Sequence, residues 1–283
     1  MLRTAFAFIA LVLTAGAASA QVPDGRLGTI SKTNTVKIAH RTDAVPFSFL
    51  NDKKEPAGYT VDLCKLVVRA LEKQLGKALE VKWVPVTTET RFEAVANGTA
   101  DMECGASTAT LSRMKQVDFS SFVFIESTGL VARKEAGIAS FKDLTGKKIA
   151  VIAGTSNERA VTARSKQLQL NATIIAAKDR NDAVAAMEDG RADAFASDKL
   201  LLIGAQFKNP QAFFMLPDDL SMEPYAIALP RGDWALRLAV NTGLAQIYGS
   251  GEVITVFNKW FAPIGLQPGL LLGAAIALGT LPE

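Results

Sequence analysis

The segments TVKIA (35–39), VDLCKLVVRALEKQL (61–75) and EVKWV (80–84) follow one another, and their hydrophobic periods differ. The first alternates as a half-buried strand does, and the third returns to β-type residues. The middle one carries Val61, Leu63, Leu66, Val67, Leu71 and Leu75 at helical spacing. Strand, helix, strand is the signature of a βαβ unit and hence of an α/β fold. Working outward, a helix is expected from about Thr90 to Ala96, stopped by Asn97 and Gly98. A short strand over Ala100 to Glu103 then precedes the polar turn Gly105, Ala106, Ser107, Thr108. A second series repeats the plan: a strand at Lys148–Ile152, a helix over Ser156–Leu168 and a strand at Ala172–Ala177. A helix over Asn181–Glu188, a strand at Ala192–Ala196 and a helix after Asp198 complete it. The two series echo each other, AVANGTAD (94–101) against AAMEDGRAD (185–193): an alanine-rich helix end, Gly, one residue, Ala-Asp, then a strand.

With 283 residues, 49% hydrophobic and 21% charged, the chain falls outside the disordered class and has apolar material for one large or two medium cores. Lys and Arg number 31 against 28 Asp and Glu, with no long basic run, so there is no electrostatic footprint for nucleic acid. The sequence has one histidine, His40, and two cysteines outside any C-x-x-C pattern, which gives no zinc-ligand set. Neither a Ser/His/Asp arrangement nor a G-x-x-x-x-G-K-[ST] loop is present, so nucleophilic hydrolysis, ATP use and a bound cofactor are not expected.

Residues 1–20, MLRTAFAFIALVLTAGAASA, combine Arg3, an apolar run and the small triplet Ala18, Ser19, Ala20. This is the pattern of a secretory signal peptide. Cleavage after Ala20 would expose Gln21 rather than a lipid-accepting Cys; an uncleaved anchor is the alternative, although the run is short for a span. LLLGAAIAL (270–278) lies between Pro268 and Pro282 and is expected to pack on the body within a tail over 263–283. Export places Cys64 and Cys104 in an oxidising compartment, where one bridge is the simplest use. Such a bridge closes a loop of about 40 residues, for which chain entropy gives roughly 4 kcal/mol. Two buried free thiols are the other reading.

Open α/β sheets bind ligands at the carboxyl ends of their strands. Polar residues collect there: Ser107 and Thr108, Gly154 and Thr155, Ser197 and Asp198. Thr155-Ser156-Asn157-Glu158 has the S/T-x-x-E form of a capping box, and the helix it opens presents N–H groups and a positive dipole end. Arg41 follows a strand, Arg91 starts a helix, and Arg113 follows the polar turn. Guanidinium forks match carboxylates, so convergence of the three would favour a small anion; taken singly, each also reads as a surface charge.

HR (40–41) with VPFS (45–48), GYTVDL (58–63), NGTADMECG (97–105) and the run from Arg113 to FS (119–120) resemble the family 3 extracellular solute-binding proteins of amino-acid ABC importers. The resemblance runs from about Thr35 to Trp260 and is strongest to the glutamate/aspartate-binding branch. It implies a periplasmic binding protein-like fold, two α/β lobes joined by a two-strand hinge with the ligand cleft between them. One lobe would comprise residues 35–124 and 225–262, the other 130–222, with crossings near 122–132 and 221–228. It further implies a monomeric, non-catalytic receptor in the periplasm that binds L-glutamate or L-aspartate and presents it to an inner-membrane ABC permease.

Carried over by position, the resemblance assigns the ligand's α-carboxylate to Arg113 and Thr108, with Ser107 in the same turn and the helix start at Thr155 and Ser156. Asp198 falls where the ammonium is met, and Arg41, Arg91 and Thr88 fall where the side-chain carboxylate is gripped. Two positions depart from the branch: Ala106 stands where Ser is common, and Arg180 where His is usual. Arg180 either strengthens the preference for anions or swings outward. Two other functions fit the same scaffold. A cyclic-dicarboxylate dehydratase would need a cleft acid, for which Glu103 and Glu89 are the candidates. A sensory module would need a separate signalling partner.

Overall fold

The computed structural model describes residues 24–208 and 211–282, so the expected signal peptide lies outside the described residues. A helix the sequence reading did not anticipate, α1 (Gly25–Thr33), precedes β1 (Thr35–Arg41) and buries Leu27 and Ile30. After β1 comes a small antiparallel ribbon of β2 (Asp43–Ala44), β3 (Ser48–Leu50) and β4 (Pro56–Ala57), then α2 (Tyr59–Leu75). Gly58 caps α2 at φ +131, where a Cβ would collide with the Phe47 carbonyl, so the turn requires glycine. The apolar stripe of α2 faces the core, and β5 (Glu80–Val86) returns parallel to β1, completing the expected βαβ unit.

Next stand α3 (Arg91–Ala96) and β6 (Met102–Glu103), the latter parallel to β1 on its other side. The long β7 (Val117–Arg133) leads to β8 (Lys148–Ile152), α4 (Ser156–Gln167), β9 (Thr173–Ala177), α5 (Arg180–Glu188), β10 (Ala194–Asp198), α6 (Lys199–Lys208) and β11 (Phe213–Met215). The chain returns through β12 (Met222–Pro230) and ends in α7 (Trp234–Gly249), α8 (Glu252–Phe261) and α9 (Leu270–Gly279).

The repeated sequence is a repeated structure. Both helices stop at a glycine with positive φ, Gly98 at +82 and Gly190 at +72. One residue later an alanine N–H returns to the helix, Ala100 to the Ala94 carbonyl and Ala192 to the Ala186 carbonyl, each at 2.8 Å. The following aspartate ties the corner to the neighbouring strand: Asp101 accepts from Lys37 N at 2.7 Å, and Asp193 from Lys148 N at 2.9 Å. This explains why two strands start two residues later than expected. The Ala-Asp pair is consumed by the corner, so β6 begins at Met102 and β10 at Ala194.

The nine strands outside the small ribbon form one sheet in the order β5-β1-β6-β12-β7-β10-β8-β9, with β11 beside β7. β7 makes it continuous. Its part up to Ser127 pairs antiparallel with β12, and its part from Thr128 onward pairs with β10 and β11. Two α/β lobes thus share two long strands, which are the joint between them. The first lobe buries a core that includes the aromatic group Phe47, Tyr59, Phe124, Phe257 and Phe261. The second buries apolar residues on both faces of its sheet, as parallel strands covered by helices require. A Cys64–Cys104 disulfide, Cα atoms 6.4 Å apart, ties α2 to the end of β6. α9 lies against β7 and α7 with Leu272 buried, while Leu270, Leu271 and Leu278 face out. Among the described residues no helix is long and apolar enough to cross a membrane.

Candidate functional site

Between the lobes, at the carboxyl ends of β1, β8 and β10, lies a cavity lined by Arg41, Thr88, Arg91, Thr108, Arg113, Thr155, Ser156, Arg180 and Asp198. The fold brings together nine of the ten positions singled out in the sequence. Ser107 is the exception: it is fully buried and is not part of the lining. Its neighbour Ala106 lines the wall instead, with Ile152, Asn157, Ser197 and Leu201.

Local structure aims the four arginines. Arg41 ends β1 and donates from Nη2 to Asp43 Oδ1 at 2.6 Å. Arg91 opens α3 and donates to the Thr88 carbonyl. Arg113 opens a short 3₁₀ turn and donates to the Thr108 carbonyl at 2.8 Å. Arg180 opens α5 and donates to the Leu201 carbonyl at 3.0 Å, so it turns into the cleft and does not swing outward. A guanidinium has five N–H donors, and one bond each leaves capacity in all four. The Nε atoms of Arg41, Arg91 and Arg180 are buried without a partner.

Gathering like charges has an electrostatic cost, visible at Arg91. Burial, then the positive charge of Arg113, brings its pKa down to about 9, with Glu103 and Asp198 acting in the opposite direction. Burial also lowers Arg113 and Arg180. Phe92, which the sequence reading did not single out, lies beneath two of the arginines. The Arg91 and Arg113 guanidinium carbons are 4.4 and 5.0 Å from its ring centroid, where the π face partly offsets their repulsion.

The acidic side is organised differently. Asp198 ends β10; burial and then the negative charge of Glu223 push its pKa up to about 6. Asn157 Nδ2 donates to Asp198 Oδ1 at 2.9 Å and to Thr128 Oγ1 at 2.8 Å. Thr128 Oγ1 lies 3.1 Å from Glu223 Oε1, and Thr108 Oγ1 donates to Glu223 Oε2 at 2.6 Å. Asn157, Thr128 and Glu223 escaped the sequence reading. Asn157 stands inside the capping box, and the other two are lone polar residues in strands, visible only once the two long strands are paired.

Two hydroxyls are already engaged. Thr155 Oγ1 donates to the Ile152 carbonyl at 2.7 Å and accepts from Glu158 N at 3.2 Å, as an N-cap does. Glu158 reaches Gly154 N rather than the cap residue's own N–H, so the box is displaced by one residue. What this helix start offers a ligand is its N–H groups. Ser156 Oγ and Thr108 Oγ1, on opposite lobes, are 3.4 Å apart, so the cleft stands closed.

The site therefore holds four cationic side chains and one lining carboxylate, buried between two lobes joined by paired strands. Its class is that of a two-lobed solute-binding protein. The family of bacterial extracellular solute-binding proteins, family 3, matches residues 36–263, and the chain belongs to it. It is 38% identical over 259 residues to an L-glutamate/L-aspartate-binding protein of Pseudomonas aeruginosa, covering 90% of this chain and 85% of that one. It is 34% identical over 266 residues to a glutamate/aspartate import solute-binding protein of Escherichia coli, covering 92% and 88%. Among solved structures, an ancestral amino acid-binding protein, a precursor of cyclohexadienyl dehydratase, matches with a TM-score of 0.72 at 29% identity, covering 84% of this chain and 100% of that one. An ancestral arginine-binding protein bound to arginine matches with a TM-score of 0.72 at 26% identity, covering 81% and 98%.

Proposed function

We propose that the protein is the periplasmic receptor of an ABC importer, capturing L-glutamate or L-aspartate by hinge closure and delivering it to an inner-membrane permease. The observation that carries this is the charge inventory of the cleft, four arginines against one lining aspartate. Arg41 is already paired with Asp43, and the arginines that remain outnumber Asp198, so the site matches a ligand with two negative groups for the guanidinium groups and one positive group for Asp198, which is a dicarboxylic amino acid. A neutral amide would leave buried guanidinium donors unpaired, a loss of the kind that dominates specificity. In this reading Arg113, with the N–H groups at the start of α4, takes the α-carboxylate. Asp198 takes the ammonium. Arg41, Arg91 and Arg180, beside Thr88, take the distal carboxylate. The names of the relatives from Pseudomonas aeruginosa and Escherichia coli point the same way.

Closure follows from the division of these groups between lobes, because the complete set of contacts exists only when both lobes meet the ligand. The dehydratase alternative gains no specific observation. Glu103 is wholly buried and does not line the cavity, and Glu89 is exposed. The test is calorimetry on mature protein freed of ligand, with L-Glu, L-Asp, L-Gln and L-Asn. The expected result is tight binding of one or both acids and binding of the amides weaker by about a hundredfold or more, as the loss of a desolvated charge pair implies. Equal binding of acids and amides would refute it.

A further inference from the structure

Glu223 is placed where neither ligand nor solvent explains it. It sits on β12 within two residues of Ser221, at the point where β7 exchanges its partner β12 for β10, and it is 2% exposed. A buried carboxylate is costly unless its oxygens are saturated by donors. Here they are saturated from both sides of the joint. Oε2 accepts from Thr108, in the first lobe's polar turn, at 2.6 Å. Oε1 has the hydroxyls of Thr128 at 3.1 Å and of Ser221 at 2.6 Å.

Proton counting then fixes the direction of the network. The Asn157 side chain faces an acceptor-only carboxylate at Asp198, so it must present its NH2, and the second N–H of that group goes to Thr128 Oγ1. Thr128 accepts there, so its own proton goes toward Glu223, either directly to Oε1 at 3.1 Å or through Ser221 Oγ, which lies 2.8 Å from Thr128 Oγ1 and 2.6 Å from the same Oε1. The path from Glu223 through Thr128 and Asn157 to Asp198 has no free polarity along it. A carboxylate at the joint thus sets the position of a residue on the first lobe and of one on the second, both lining the cavity.

We infer that Glu223 is the positioning residue of the ammonium subsite, holding Asp198 in the second lobe and Thr108 in the first in register from the hinge. The inference rests on the amino-acid reading of the cleft and adds to it a residue that does not touch the ligand. A packing role and a positioning role differ in one readable way. Glu223 also acts on Asp198 through space: after burial, its negative charge is the main reason that Asp198 holds a proton up to about pH 6. The other charged and titratable groups facing Asp198 are Glu126 on β7, Tyr225 on β12, Arg180 on α5, Arg91 on α3 and Arg113 on its 3₁₀ turn.

The experiment measures L-Glu and L-Asp affinity between about pH 5 and 8 for the wild type, Glu223→Gln and Thr128→Val. Asp198 must be ionised to meet an ammonium, so wild-type affinity is full above about pH 6 and falls as the pH drops below it. Glu223→Gln keeps the volume but removes an acceptor and the charge. It is expected to weaken binding about tenfold at neutral pH and to move the acid midpoint downward. Thr128→Val cuts the path while leaving the charge, and should weaken binding several-fold with the midpoint unmoved. If Glu223→Gln leaves the midpoint in place, whatever it does to affinity, the inference is overturned. If that variant does not fold, Thr128→Val decides: affinity within about twofold of wild type overturns the inference, and a several-fold loss supports it. A wild type that binds neither acid at any pH removes the reading of the cleft itself, and this inference with it.

Discussion

The two lobes are built on the same corner yet bring opposite chemistry to the cleft. In each, a helix ends at a left-handed glycine, an alanine turns back to it, and an aspartate clamps the neighbouring strand. Each aspartate is further paired with an arginine, Asp101 with Arg26 at 3.4 Å and Asp193 with Arg133 at 3.3 Å. These corners hold the lobes' frames; the side chains at the strand and helix ends above them differ. The first lobe presents three arginines, Arg41, Arg91 and Arg113, and no lining carboxylate. The second presents Asp198, Asn157, a helix N-terminus and a single Arg180. In the proposed reading most of the anion-binding groups belong to the first lobe, and the carboxylate that would tell an amino acid from a plain dicarboxylate belongs to the second.

That contrast is open to attack from either side. Charge reversal at Arg113, as Arg113→Glu, should abolish binding of every amino acid, a loss of more than about a hundredfold in Kd read by calorimetry, because it sets a carboxylate against the α-carboxylate. Arg91→Ala should be selective: dicarboxylic ligands weaken by about tenfold to a hundredfold, and any residual binding of L-Gln stays within about twofold. Loss of all ligands in equal measure would mean that Arg91 supports the fold of the first lobe and not its specificity. Replacing both cysteines by serine should lower stability by up to about 4 kcal/mol in urea titration, as expected for a bridge spanning 40 residues, and leave ligand preference unchanged. Ala106→Ser is expected to change affinity by no more than about threefold, since the hydroxyl it adds lies beside an ammonium subsite already served by Asp198.

The sequence was most legible where a local period or cap announces the structure. α2 follows from its apolar spacing, the start of α4 from its capping box, and both glycine corners from the echoed residues 94–101 and 185–193. Much of the site was legible for a related reason: Arg41, Arg91, Thr155 and Asp198 sit at ends of regular elements, where side chains project into the crevice, while Arg180 and Thr88 came into view only through the family resemblance. The unreadable part depends on pairing across long sequence separations. Glu223 meets Thr108 across 115 residues and Thr128 across 95, and nothing local marks any of the three as partners. Nothing in the sequence marks Phe92 as a support for charge, yet the structure places two guanidinium groups over its ring. Ser107 misled because its neighbours in the polar turn do reach the cavity, while its own side chain points into the protein.

The central claim is that the first lobe's arginines, joined by Arg180 and the start of α4 from the second, hold the carboxylates, and that Asp198 of the second lobe holds the ammonium. A crystal structure of the protein with L-glutamate bound tests it most directly. The account predicts the ammonium within hydrogen-bonding distance of Asp198, the α-carboxylate on Arg113, and the distal carboxylate among Arg41, Arg91 and Arg180. An ammonium found away from Asp198, or a distal carboxylate that meets none of those three arginines, would contradict it.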